Sequence, residues 1–252
     1  MALELKNPHS VLAALETRPR EVFEIVVATE TPSPAWSEVI ARARANAIRV
    51  TSGARPAPRN RRGEKEGRET GMSAIVGERG ALSLEALFAA AATRASGRGL
   101  WLALDNLQDP HNVGAIFRTA AFFGVQGIVL TKDRSAPLTA TAYDVAAGGL
   151  EHVPFSLVPN LARAIADAKQ AGVWVLGTSE HATEDVAQVD RERPWLLVVG
   201  NEEKGMRRLT AAHCDAICRI TPRGAVTSLN VSVATGVLIA ELTSPAMSRP
   251  SK

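Results

Sequence analysis

Leu100-Trp101-Leu102-Ala103-Leu104-Asp105-Asn106-Leu107-Gln108-Asp109-Pro110-His111-Asn112-Val113-Gly114-Ala115-Ile116-Phe117-Arg118-Thr119-Ala120 reads as an apolar strand, a turn stiffened by proline, and a helix. Its first five residues are an unbroken apolar run, as a strand buried on both faces requires. Beyond the turn, Val113, Ile116, Phe117 and Ala120 fall three and four apart. That spacing predicts a helix over 111–123 with one face on a core. Asn112 stands where it can cap this helix, and Arg118 lies off the apolar stripe and faces outward. A second apolar strand follows at 127–131. The alternation continues with helix 139–147, strand 153–158, helix 161–170, strand 173–177, strand 195–200, helix 206–213, strand 216–220 and helix 228–242. Strands and helices in this order predict an α/β fold: a mostly parallel sheet covered on both faces, with ligands at the carboxyl ends of its strands.

Upstream lies a smaller α/β unit, with a helical pattern at 9–15, a strand at 23–28, a helix at 37–46, a short strand at 47–50 and a last strand at 72–76. Within it, 53–71 holds Pro56 and Pro58 and sets Arg55, Arg59, Arg61, Arg62, Lys65 and Arg68 against Glu64, Glu66 and Glu69. This is a basic-leaning loop, either solvated or an arm that contacts phosphate. The alanine-rich stretch after it reads as a linker, helical in part. The expected division is 1–80 for the small unit, 81–98 for the linker, 99–245 for the main domain and 246–252 for a tail.

The chain has 252 residues, 46% of them hydrophobic and 22% charged, enough to bury a core without staples. Its start lacks the basic-then-apolar pattern of a secretory signal, and no apolar window reaches the length of a membrane span. The expectation is a cytoplasmic protein with no membrane partner. A net charge of +3 mildly favours a polyanionic partner. Cys214 and Cys218, beside His213, are too few for a disulfide framework or a four-ligand zinc site. They read as buried thiols, and no metal is expected.

Two more loops end strands of the main domain. Val199-Gly200-Asn201-Glu202-Glu203-Lys204-Gly205-Met206 is a glycine-bounded turn, either a plain tight turn or a backbone cradle for a ligand. Ile220-Thr221-Pro222-Arg223-Gly224-Ala225-Val226-Thr227-Ser228-Leu229-Asn230-Val231-Ser232-Val233-Ala234-Thr235-Gly236 leads into a helix apolar almost all round, which should therefore be buried. Ser228 and Asn230 at its start need partners; they cap the helix or face a ligand.

Taken together and in this order, the three loops resemble the three motifs of the SpoU family of RNA 2′-O-methyltransferases. Asp-Pro-His-Asn-Val-Gly with Arg118 and Thr119 matches the first motif; Gly200, Glu202 and Gly205 match the second; Ser-Leu-Asn-Val-Ser-Val-Ala-Thr-Gly matches the third almost letter for letter. Lys132-Asp133-Arg134-Ser135-Ala136 and Gly205-Met206-Arg207-Arg208-Leu209-Thr210 look like the branch that methylates a guanosine of bacterial 23S rRNA. The first 80 residues resemble more faintly the ribosomal-protein-like substrate-binding domain often fused ahead of it, best at Pro8-His9-Ser10-Val11.

The resemblance implies a SPOUT-type parallel sheet with a deep trefoil knot, a homodimer whose interface completes each site, and S-adenosylmethionine as methyl donor. It maps donor contacts onto Gly177, Thr178, Gly200, Ile220 and Leu229, and polar active-site residues onto Asn112, Arg118, Glu202, Ser228 and Asn230. It departs from the family pattern at Thr221-Pro222, where the motif opens Ile-Pro-Met, at Glu203-Lys204, and at Asn7, where the leading domain has glycine. In this scheme Arg118 grips the phosphate beside the target ribose, because a planar fork suits phosphate. Two rival readings are a transfer-RNA ribose methyltransferase and a non-catalytic RNA-binding relative.

Overall fold

A computed structural model describes residues 2–28, 31–53, 71–89, 91, 98–132, 138–201 and 205–244. The expected basic loop (54–70), most of the linker's end (92–97), the stretch 133–137, Glu202 with Glu203 and Lys204, and the tail lie outside the described residues. The main sheet has seven strands: β5 (Gly99–Leu104), β6 (Gly127–Thr131), β7 (Phe155–Val158), β8 (Trp174–Thr178), β9 (Glu184–Asp185), β10 (Pro194–Val199) and β11 (Ala216–Arg219). Their order is β7-β6-β5-β10-β8-β11-β9, and every pairing is parallel. The expected α/β architecture with a parallel sheet is the one observed.

Both faces of the sheet are covered, and the alternation along β5 shows it. Leu100, Leu102 and Leu104 join a core with α4 (Pro110–Phe123), α5 (Ala140–Ala146), α6 (Gly149–His152) and α9 (Val231–Thr243). Trp101 and Ala103 point the other way, into a second core with α3 (Leu84–Phe88) and α7 (Leu161–Gln170). α8 (Arg208–Ala212) completes the helices of this part. Ahead of it, β1 (Ala2–Leu5), β2 (Val22–Val27), β3 (Arg49–Ser52) and β4 (Ser73–Gly77) form a sheet ordered β1-β4-β2-β3, with α1 (Pro8–Thr17) and α2 (Pro34–Ala45) packed together.

The smaller sheet's unit docks firmly on α5 and α6. The Asp144 carboxylate accepts the backbone N–H groups of Lys6, at 3.0 Å, and Asn7, at 2.9 Å. Asn7 also caps α1, its side chain accepting from the His9 N–H. The side chain of Glu151 is 1% exposed and takes two bonds of 2.7 Å from the Arg18 guanidinium. Burial opposes the Arg18 charge, but the Glu151 bonds outweigh it and hold the guanidinium above its ordinary range.

Three expectations need correction. The helix expected over 206–213 spans only Arg208–Ala212, because Arg207 is extended at its cap. The strand expected at 47–50 starts at Arg49, because Ala47 takes a left-handed φ of 56°. The helix expected over 228–242 begins at Val231 and is not buried all round: Val233 is 52% and Val237 41% exposed. It packs on α4 through one side, with the Gly236 backbone close to the Thr119 methyl, and among the described residues nothing covers its outer side at Val233 and Val237.

Candidate active site

The three loops converge at the carboxyl ends of β5, β10, β8 and β11. Between the second and third of them opens a cleft of about 880 Å³. Its walls include Thr178, Gly200, Ile220, Ser228 and Leu229, with Met206, Val231 and Leu238 supplying apolar surface. Gly177 lies one residue before Thr178, directly under the thioether of Met206. All five residues mapped to the donor therefore meet in one place. The Thr178 hydroxyl donates to the Val198 carbonyl at 3.0 Å, tying β8 to β10 at the cleft floor.

Gly200 is required by a close approach of backbone to backbone. The turn after it closes on itself, with the Asn201 N–H donating to the Gly205 carbonyl at 3.1 Å and the Gly205 N–H to the Asn201 carbonyl at 2.9 Å. A Cβ on Gly200 would fall on the backbone of Gly205 and Met206. Gly200 and Gly205, which carry no side chain, border the cleft on this side.

Asn112 does not cap α4. Asp109 does, accepting the His111 N–H at 2.8 Å, because Pro110 at the first helical position leaves the cap one residue earlier. Asn112 sits instead in the first turn, 8% exposed, and its Oδ1 accepts from Asn230 Nδ2 at 3.0 Å. Asn230 caps α9, its Oδ1 accepting from the Ser232 N–H at 2.9 Å. The first and third motifs are thus joined side chain to side chain. Arg118 is exposed on α4, as expected, and is not among the residues that line the cleft. Ser228 is exposed at the cleft wall.

The departure at Thr221 has a structural counterpart. Its N–H and hydroxyl both donate to the Asp185 carboxylate, the N–H at 3.1 Å, a bond that proline in that position could not make. The Thr221 hydroxyl bond holds the Asp185 carboxyl below its usual range. Cys218 lines the cleft, and burial pushes its thiol up to about 12; burial raises Cys214 to about 11. Both are therefore neutral thiols at ordinary pH. Among the described residues no group of three or more His, Cys, Asp or Glu side chains is placed to hold a metal ion, and no helix is long and apolar enough to cross a membrane. The sequence reading singles out neither Met206 nor Asp185. Met206 is visible only as an apolar residue inside a polar turn, and Asp185 carries no sequence signal.

Residues 99–240 match the family model of the SpoU rRNA Methylase family. The chain is 38% identical over 236 residues to the 23S rRNA (guanosine-2′-O-)-methyltransferase RlmB of Pseudomonas putida, covering 92% of each chain. It is 50% identical over 149 residues to the protein of the same name from Pseudomonas aeruginosa, a match spanning 59% of this chain and 60% of that one. In structure it resembles the SpoU methyltransferase AviRb from Streptomyces viridochromogenes, solved in complex with AdoMet. That likeness has a TM-score of 0.76 at 21% identity and covers 96% of this chain and 89% of that one.

Proposed function

Because this chain belongs to the SpoU rRNA methylase family, we propose that it moves a methyl group from S-adenosylmethionine to a ribose 2′-hydroxyl of RNA, a guanosine in 23S rRNA. The observation that carries this is that the second and third loops wall one cleft while the first is joined to the third by the Asn112–Asn230 bond, across 118 residues of chain. The cleft fits the donor. Its volume falls in the range of about 300–1,000 Å³ usual for small-molecule sites. Leu229, Val231, Leu238 and Met206 offer apolar surface to an adenine, and the Gly200 turn and Ile220 offer backbone groups to its polar edges.

When bound, the donor supplies an electrophilic methyl. The chain's own residues must hold the acceptor and remove its proton. Asn112 and Asn230, fixed to each other, orient the ribose. Ser228, at the cleft wall, adds to the polar lining, and Glu202, outside the described residues, is assigned a polar role from its motif alone. Arg118 grips the adjacent phosphate through its planar fork; its guanidinium is already charged, so it relays the hydroxyl proton only by releasing one of its own to solvent.

Arg118 and Phe122 lie one helical turn apart on α4, and Phe122 is 83% exposed. Val233 and Val237 leave a second apolar stripe open on α9, which packs against α4. We read this face as the interface of a homodimer, through which Arg118 serves the cleft of the other subunit. The carboxyl-terminal segment is read as a trefoil knot. In support, β10 lies between β5 and β8, and the chain leaves β11 beyond β8 and returns to place α9 on α4. The unit of residues 1–80 is read as the RNA substrate-binding domain, joined through 81–98 to the methyltransferase domain of 99–245. The enzyme works in the cytoplasm.

Calorimetry should show S-adenosylmethionine binding at one site per subunit. The purified protein should run as a dimer of twice its 26.7 kDa mass. Ribose-methylation mapping should show one guanosine of 23S rRNA unmethylated in a deletion strain. Loss of a transfer-RNA methyl instead would favour the transfer-RNA reading; no donor binding even with RNA present would refute the activity.

A further inference from the structure

β5 and β10 are neighbours, in register from Gly99 beside Pro194 to Leu104 beside Val199. One residue past that last pair stands Asp105. Its N–H continues the ladder to the Val199 carbonyl at 2.8 Å, but its side chain is 0% exposed. A carboxylate out of water is costly unless it is paired and hydrogen-bonded. Here both oxygens are saturated. Oδ1 accepts from Arg207 Nε at 2.8 Å and lies 2.7 Å from Nη2 in an ion pair; Oδ2 accepts from the Arg207 N–H at 3.2 Å and the Thr210 hydroxyl at 2.9 Å.

All of these donors lie just beyond the Gly200–Met206 turn, 102 and 105 residues along the chain. On the near side of the turn, Asn201 Nδ2 donates to the Asn106 carbonyl at 3.0 Å. Asp105 and Asn106 therefore fasten the turn at both of its ends. Asp105 does not line the cleft, but Met206, the residue before its partner Arg207, does. Arg207 is 49% exposed at its side chain, so the pairing is not forced by burial of the arginine. The same Asp105 begins the loop that leads into α4, the helix carrying Asn112 and Arg118.

We propose that Asp105 is a positioning residue for the methyl donor: through Arg207 it clamps the Gly200–Met206 turn against the end of β5 and so sets the shape of the donor cleft. This rests on the reading of that cleft as the donor site. The clamp acts on the turn, not on the reacting atoms, so its removal should appear in donor affinity and not in RNA affinity.

The test is calorimetric titration of S-adenosylmethionine into the full chain as wild type, Asp105→Asn, Arg207→Ala, Arg207→Lys and the Asp105→Asn/Arg207→Ala double variant, with thermal melts and RNA-fragment binding alongside. Each single change removes charge-assisted bonds and should weaken donor binding at least about tenfold. RNA affinity should stay within about twofold. The double variant should bind no more weakly than the worse single one, as expected of two residues acting as a unit. Arg207→Lys, charged but without the fork, should stay near the alanine variant. Wild-type donor affinity in Arg207→Ala, or additive losses in the double variant, would overturn the clamp. If Asp105→Asn or Arg207→Ala fails to fold, Arg207→Lys decides alone, since it keeps a positive charge beside the buried Asp105 carboxylate. A wild type that binds no donor would overturn the cleft reading, and the clamp with it.

Discussion

Gly200→Ala adds one methyl group where the chain has no room. The new Cβ would stand 2.7 Å from the Gly205 carbonyl oxygen and closer still to Gly205 C and Met206 N. These are backbone atoms of the same turn, so no rotamer change can relieve the overlap. The turn must open, and opening breaks the two bonds between Asn201 and Gly205. At about 0.5–1.5 kcal/mol net for each bond, the distortion costs about 1–3 kcal/mol. On the proposed reading the donor binds only the closed turn, so this energy is subtracted from its binding. At about 1.4 kcal/mol per decade, affinity should fall about 5- to 150-fold. The melting temperature should drop by only about 2–12 °C, at about 2–4 °C per kcal/mol for a chain of this size. Donor calorimetry and a thermal melt on the same preparation read both quantities. Wild-type donor affinity in a folded Gly200→Ala protein would refute the reasoning, because the turn would then not be the donor's cradle. Gly200→Val, bulkier still, should abolish binding.

Arg118→Ala should abolish single-turnover methylation while donor binding survives and stability shifts by less than about 0.5 kcal/mol, as for an exposed side chain; Arg118→Lys should rescue little, and a lysine variant near wild-type rate would exclude the bidentate grip. Glu151→Ala removes two bonds from the largely buried Arg18 guanidinium at the junction of the two sheets, leaving it Glu21 and the Gly77 carbonyl, and should cost about 1.5–3 kcal/mol in denaturant unfolding; a loss below about 0.5 kcal/mol would show that the pair does not hold the junction. Burial lifts the Cys218 and Cys214 thiols to about 12 and about 11, so at pH 8 both are protonated and iodoacetamide should label them only after denaturation. Rapid labelling of native Cys218 would contradict that.

Long periodic segments were the easiest to read from sequence. The strand at 127–131 and the helix at 161–170 fall where apolar runs and three-four spacing put them. Short elements escaped notice: β1 has only four residues and β9 two, too few for a period to show. The site was legible as types of residue at strand ends: Thr178, Gly200, Ile220 and Leu229 line one cleft, and Gly177 lies beside it against Met206. What no local pattern carries is pairing at long range. Asn112 and Asn230 each read as a helix cap, and only one of them is; their mutual bond spans 118 residues. Asp105 carries no sequence signal of its own, because its partners lie a hundred residues away. The helix beginning at Val231 misled for a different reason: apolar residues all round signal burial, but they do not say whether the cover comes from the same chain.

Gly149 carries a consequence for the helix beside it. A Cβ there would stand 2.6 Å from the Phe117 carbonyl and 2.8 Å from the Cα and N of Arg118, so α6 rests directly on the main chain of α4 beneath Arg118. Main chain against main chain leaves no compliant side chain to absorb a displacement. Gly149→Ala would therefore act on Arg118 without touching its guanidinium: it would lift the base of that side chain while leaving the side chain itself unaltered. A residue that is buried, uncharged and outside the cleft thus sets the seat of the Arg118 main chain, and variation at position 149 should be read out in turnover as well as in stability.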